Sequence, residues 1–342
     1  MYLYTGKAKG ELYIFYQKQR LLPLKMNNAK KPNFFLVGTV KGGTTALHRY
    51  LTSHPQVYVS PIKEVNYFSK DAIHPEHFSA DYRHDIDIDI EKYLCGDRKH
   101  PVHIAHVTDE ITYHKLFDDV NDEIAVGEMS LSYLLYDGVA EKIKSYNGDA
   151  KILMMLRNPV ERAFSQYIMN LKQGKILADN FLEEIKKDAK AAPAGWGANH
   201  QYLYIGKYYK QVKNYLEVFP RDQVKILLYD DYIAAPEEIL REMFTFLGVS
   251  IDVEIDSSQK YNEGGISRFS RLNYFLNQMG LIQKAKQILP YAWRGFFKDI
   301  FYTQKNMPKL EKQDRDWLIA YYRDDILALQ DLIHKDLSAW LK

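Results

Sequence analysis

A single cysteine, Cys95, stands in 342 residues. One thiol excludes an internal disulfide framework and any metal site built from several cysteines. No run of about 18 consecutive apolar residues occurs, so no segment reads as a transmembrane helix. The first residues lack a basic start followed by an apolar stretch and a small-residue cleavage site. No secretory leader is evident on that pattern, and the cytoplasm is the expected location. An excess of charge of one sign is also missing. Lys+Arg 46 against Asp+Glu 44 leave a formal charge of +2, which argues against a dedicated nucleic-acid binder, whose domain is visibly basic. Internal repeats and a clear interdomain linker are absent as well.

What is present is enough chain for one large α/β domain, able to bury a core without staples. Strand-like apolar runs alternate with helical periodicity, the pattern of a parallel sheet covered on both faces. Expected strands are Phe34 to Val37, Val57 to Val59, Ile124 to Glu128, Ile152 to Leu156 and Val224 to Tyr229. Helices are expected over about 138–147, from Pro159 to Leu171, over about 204–219 and from Pro236 to Leu247. Residues 1–30 read as a peripheral N-terminal extension, either an interfacial helix or a docking arm, and residues 31–342 as the domain. Within it, 71–122 reads as a variable insertion with helical pieces and 175–200 as a mobile loop. The 27 tyrosines suit half-buried helix faces as well as they suit sugar stacking.

The most informative stretch is Gly38-Thr39-Val40-Lys41-Gly42-Gly43-Thr44-Thr45, placed between an apolar strand and a helical pattern. Strand, glycine turn and helix N-terminus in that order form an anion cradle, because small residues let backbone N–H groups approach a phosphate. The spacing is close to the triphosphate loop G-x-x-x-x-G-K-[ST], but Thr44 stands where its lysine belongs, and Lys41 sits inside the turn. A lysine there lies nearer the oxygen joining a phosphate to a transferred group than to a γ-phosphate. A second candidate anion site follows the most apolar strand. Arg157 ends it, and Arg162 and Ser165 lie on the next helix. In open parallel sheets ligands bind beyond the carboxyl ends of strands, so Arg157 is expected to face the same crevice as the glycine turn.

Four stretches taken together resemble the sulfotransferases that use 3′-phosphoadenosine 5′-phosphosulfate (PAPS). They are Lys41-Gly42-Gly43-Thr44-Thr45-Ala46-Leu47, Lys63-Glu64-Val65-Asn66-Tyr67-Phe68, Gly127-Glu128-Met129-Ser130, and Leu156-Arg157-Asn158-Pro159 through Tyr167. The resemblance covers roughly residues 30–342. It implies a single domain of the P-loop nucleotide-hydrolase-like sulfotransferase fold. Lys41, Gly42, Gly43, Thr44 and Thr45 would then hold the 5′-phosphosulfate, and Arg157 and Ser165 the 3′-phosphate. Arg268, in the glycine-containing loop 260–268, would lie near that phosphate too. Glu64 would be the general base for an acceptor hydroxyl, expected on a glycan or glycolipid, with His103 or His106 as fallback bases. Adenosine 3′,5′-bisphosphate would be the second product, and no metal is expected. Met129 departs from the lysine some glycan-type members carry there, so any contact from that position is lost. Two alternatives stay open: a P-loop-type kinase or NTPase, with Asp230 or Asp231 on magnesium, and a catalytically silent nucleotide- or glycan-binding protein. Neither the acceptor nor the oligomeric state has a readable signature.

Overall fold

A computed structural model of the chain describes residues 31–96, 102–177, 180–198, 201–253, 270–281 and 307–342, with four short strands outside those ranges. In chain order the strands are β1 (Thr5–Ala8), β2 (Glu11–Ile14), β3 (Phe34–Gly38), β4 (Val57–Glu64), β5 (Val102–Ile104), β6 (Ala125–Met129), β7 (Lys151–Leu156), β8 (Val224–Leu228), β9 (Ile266–Ser267) and β10 (Tyr302–Thr303). Six of them form the central sheet in the order β5-β4-β6-β3-β7-β8. Every pairing within it is parallel.

Both faces of this sheet are covered, which is why β3 and β7 are near-continuous apolar runs rather than alternating ones. Successive side chains still go to opposite layers. Phe35, Val37, Ile152, Met154 and Leu156 pack with the helices Pro159–Lys172, Tyr208–Val218 and Lys312–Ile333. Phe34, Leu36, Leu153 and Met155 pack with Thr44–Ser53 and Pro236–Leu247. The expected helix ends hold where a breaker marks them. Pro159 and Pro236 open their helices, and Gly248, at φ 80°, closes the second in the left-handed region that suits glycine.

Three segments differ from expectation. The strand at Val57 runs on through Pro61 to Glu64. Proline lacks the N–H a ladder needs; the register with β6 shifts between Val59 and Glu64, while β5 pairs from Ile62 onward. That irregular stretch carries Glu64 to the carboxyl edge of the sheet. The polar segment 71–122 contains the helices Ala80–Asp85, Ile90–Cys95 and Glu110–Lys115, and it also supplies the edge strand β5. Three residues are too few for periodicity to reveal. The stretch 175–200 is not loop throughout: the helix Phe181–Lys190 starts at Asn180, whose side chain caps Glu183 N. Within residues 1–30 the described part is an antiparallel pair, β1 with β2. Among the described residues no helix is long and apolar enough to cross a membrane.

Candidate functional site

β3 and β7 are neighbours in the sheet, yet the chain leaves them in opposite directions, from β3 toward β4 and from β7 toward β8. That switch in direction opens a crevice at their carboxyl ends. The glycine turn walls it on one side and the start of the helix Pro159–Lys172 on the other.

The turn is tight because its backbone closes on itself and on β7. Gly42 N donates to Thr39 O at 2.9 Å, and Thr39 N to Met155 O at 3.4 Å. Lys41 (φ 67°) and Gly43 (φ 94°) both take left-handed backbone. At Gly43 only glycine fits, since a Cβ there would come within 2.5 Å of the Tyr229 ring. Gly43 caps the helix Thr44–Ser53 without a side chain, and the first turn holds no acidic residue. The N–H groups of that turn therefore face the crevice with the positive end of the helix dipole and no carboxylate of their own to satisfy them.

The two walls are tied together by Arg157. Its Nη1 donates to the carbonyl of Lys41 at 3.1 Å, its guanidinium lies 4.6 Å from the Tyr229 ring centroid, and its own carbonyl accepts from Tyr208 OH at 3.0 Å. Burial, together with the cations Arg157, Lys172 and Lys63, pulls the Lys41 ammonium down to about 8. Crowding of cations in a buried place makes a nearby negative charge favourable.

Glu64 stands at the end of β4 and is 4% exposed. Burial pushes its carboxyl up to about 7, against the pull of Lys63. Its Oε1 lies 3.9 Å from both Lys63 Nζ and His103 Nε2, and its Oε2 has no hydrogen-bond partner among the described residues. Lys63 Nζ in turn donates to Thr45 Oγ1 at 3.0 Å. Thus one lysine spans from the glycine turn to the carboxylate.

The backbone just after Glu64 is braced from below. Ser130 Oγ accepts from Val65 N and Asn66 N, both at 3.0 Å, and donates to Glu128 Oε2 at 3.1 Å. Glu128 Oε1 also accepts from Tyr113 OH and Tyr133 OH, each at 2.8 Å. Burial pushes the Glu128 carboxyl up to about 7 while these three donors pull it back. Asn66 takes left-handed backbone (φ 59°), locked by its Nδ2 on Ala105 O at 2.9 Å.

Of the residues named from sequence, Lys41, Gly42, Gly43, Thr44 and Thr45 share the turn, and Arg157 meets it. Glu64 reaches it through Lys63. Ser165 is half-buried on the helix after β7. Arg162 does not pair with it; fully buried, it donates to Gln166 Oε1 at 2.6 Å and to the Tyr202 carbonyl. Arg268 lies outside the described residues. His103 lies in edge strand β5 beside Glu64, whereas His106 packs its ring 6.1 Å from Phe78. Met129 is fully buried in the apolar layer. Nothing in the sequence singles out Lys63; its contact with Thr45 crosses from one strand to another element and leaves no local signal. Among the described residues no cluster of three metal-ligating side chains occurs. The aspartates that resemble magnesium ligands are otherwise engaged: Asp230 Oδ2 accepts from Trp340 Nε1 at 2.6 Å, and Asp231 Oδ2 from Lys335 Nζ at 3.1 Å.

A family model described as "Sulfotransferase family" matches residues 32–253. The chain is 24% identical over 321 residues to bifunctional heparan sulfate N-deacetylase/N-sulfotransferase 3 of Homo sapiens, covering 91% of this chain and 31% of that protein. It is 25% identical over 252 residues to carbohydrate sulfotransferase 15 of Rattus norvegicus, covering 64% of this chain and 44% of that protein. The chain thus spans less than half the length of either relative. Among solved structures, a sulfotransferase from Alicyclobacillus acidocaldarius superposes with a TM-score of 0.65 at 33% identity, covering 91% of this chain and 99% of that one.

Proposed function

Because this chain belongs to the sulfotransferase family, we propose that its crevice transfers the sulfuryl group of PAPS to an acceptor hydroxyl on a carbohydrate. The observation that carries this reading is the position of Lys41, inside the turn and bound through its carbonyl to Arg157. A triphosphate site would need the cation at Thr44. The donor fits the residues present. The turn is packed so closely on the Tyr229 ring that only glycine fits at Gly43, and Lys41 and Arg157 stand at it with no acidic residue in the helix's first turn.

In this reading Lys41, Gly42, Gly43, Thr44 and Thr45 hold the 5′-phosphosulfate, and Arg157, Ser165 and Arg268 the 3′-phosphate. Glu64, as carboxylate, takes the proton of the acceptor hydroxyl. The freed oxygen lone pair forms the new O–S bond while the S–O bond to the 5′-phosphate breaks. That electron pair stays on the phosphate oxygen, which Lys41 and the backbone N–H groups stabilise. Adenosine 3′,5′-bisphosphate leaves, and no step calls for a metal. A carbohydrate acceptor rests on the names of the relatives, both glycan sulfotransferases. The cytoplasm is the compartment proposed, in keeping with the single, exposed thiol of Cys95.

The kinase reading loses its footing because Asp230 and Asp231 are bound to Trp340 and Lys335. The test is thermal melting with nucleotides, followed by acceptor screening with labelled PAPS. Adenosine 3′,5′-bisphosphate should raise the melting temperature more than ATP with Mg²⁺ does, and label should pass to a glycan hydroxyl. A larger shift with ATP would return the kinase reading. Binding without transfer to any hydroxyl acceptor would leave a silent binding protein.

A further inference from the structure

Resting on the sulfuryl-transfer reading, we propose that Lys63 is a second catalytic cation, whose ammonium contacts the oxygens of the sulfuryl group in flight between Thr45 and Glu64. The geometry comes first. Lys63 is 8% exposed, and an ammonium carries three N–H donors. One goes to Thr45 Oγ1 at 3.0 Å. Glu64 Oε1, at 3.9 Å, is an ion-pair neighbour beyond hydrogen-bond distance. A buried ammonium whose remaining donors meet no acceptor among the described residues is costly unless a ligand's acceptor fills the space beside it.

The two ends of Lys63 define what that acceptor is. Thr45 belongs to the turn that holds the phosphate from which sulfur departs, and Glu64 marks the oxygen to which it goes. In an in-line displacement the transferred group lies between those points, and Lys63 bridges them. Because Thr45 Oγ1 accepts from Lys63, its own proton is left to donate to a phosphate oxygen, so the contact joins the turn to the lysine without occupying it.

The neighbouring groups do not offer a substitute. His48 is held neutral, pushed down to about 4 by burial and the cations Lys63 and Arg49. His103 approaches Glu64 from β5, but desolvation and the cation Lys63 push its imidazole down to about 3, so it stays neutral. The Tyr82 phenol, which also senses the Glu64 carboxylate, is kept protonated by burial. Lys63 is therefore the buried cation at the carboxylate. It also favours the ionised form of Glu64, so removing it should move the base's titration upward.

The test compares Lys63→Met and Lys63→Gln with Lys63→Arg. Calorimetry reads affinity for PAPS, or a non-transferable analogue bearing its sulfuryl group, against adenosine 3′,5′-bisphosphate, which lacks it. The neutral variants should bind the sulfated nucleotide about tenfold or more weaker and the bisphosphate within about twofold of wild type. They should also lose about 10²–10³ in kcat, with the acid limb of the pH–rate profile shifted to higher pH. Lys63→Arg should recover most of the discrimination. Lys63→Gln can still hydrogen-bond Thr45, so it separates loss of charge from loss of packing. Equal weakening for both nucleotides, or none for either, overturns the role of Lys63. If wild type itself fails to bind the bisphosphate, the sulfuryl-transfer reading fails instead.

Discussion

Arg157 Nη1 donates to the backbone carbonyl of Lys41 at 3.1 Å, across 116 positions of sequence. The bond fixes the glycine turn and the start of the helix Pro159–Lys172 at one spacing. It also explains why Lys41 tolerates a left-handed backbone, since the carbonyl that such a φ turns toward Arg157 finds a donor there. Arg157 itself stacks on Tyr229, whose ring closes over Gly43. One arginine thus ties the turn to the Tyr229 ring.

Arg157→Ala should weaken adenosine 3′,5′-bisphosphate about tenfold more than adenosine 5′-phosphate, the difference measuring a charge-assisted contact to the 3′-phosphate. Both ligands should weaken somewhat, because the Lys41 carbonyl loses its donor. Calorimetry on the two nucleotides reads it, and equal losses would remove Arg157 from the 3′-phosphate.

Glu64→Gln should lower kcat by about 10²–10⁴, the usual worth of a positioned base, with little change in nucleotide affinity. The wild-type profile follows from two groups. Glu64 must be ionised, so kcat/KM rises as pH passes about 7. Lys41 must be protonated, so it falls as pH passes about 8. A narrow maximum between those values is expected. Near-normal turnover of Glu64→Gln would move the base elsewhere, with His103 next in line at 3.9 Å.

The fold and half of the site could be read from local pattern. Pro159, Gly248 and the apolar run of β7 leave signals within a few residues, and so does the glycine turn, whose conformation its own glycines demand. Lys63, Arg162 and Tyr113 carry no such signal. Lys63 is unmarked until the fold brings Thr45 beside it. Arg162 reads as a phosphate ligand one turn before Ser165, because a sequence does not reveal that Tyr202 and Gln166 wait for it on the inner side. Tyr113 lies in the polar segment 71–122, yet its hydroxyl ends on Glu128 in the central sheet.

Tyr113→Phe should destabilise the protein in a pH-dependent way. The Glu128 carboxyl has an ordinary value of 4.5 and is raised to about 7 in the fold by burial, with Tyr113, Tyr133 and Ser130 pulling it down. The folded state therefore holds a proton that the unfolded state releases between those values. Its stabilising effect is complete below 4.5 and is lost as pH rises toward 7. Removing one donor raises the folded value further and enlarges that loss. Urea denaturation should show a cost of about 1.5–3 kcal/mol at pH 8, where the bond is to a carboxylate, and a smaller one at pH 5. An equal cost at both pH values would mean the hydroxyl does not sense the charge.

Gly43→Ala separates backbone strain from displacement at the turn. A left-handed alanine costs about 1–2 kcal/mol wherever it is placed. Gly138, at φ 81°, is the control, because a Cβ there meets nothing within 4 Å. Gly138→Ala should lower stability by that amount and leave nucleotide affinity unchanged. At Gly43 the same methyl would also reach 2.5 Å from Tyr229 Cδ2, so the ring must move and the Arg157 guanidinium stacked on it must follow. Gly43→Ala should therefore lose stability and bind adenosine 3′,5′-bisphosphate at least tenfold more weakly, about 1.4 kcal/mol. Wild-type affinity in Gly43→Ala would show that the ring does not hold the arginine in its binding position.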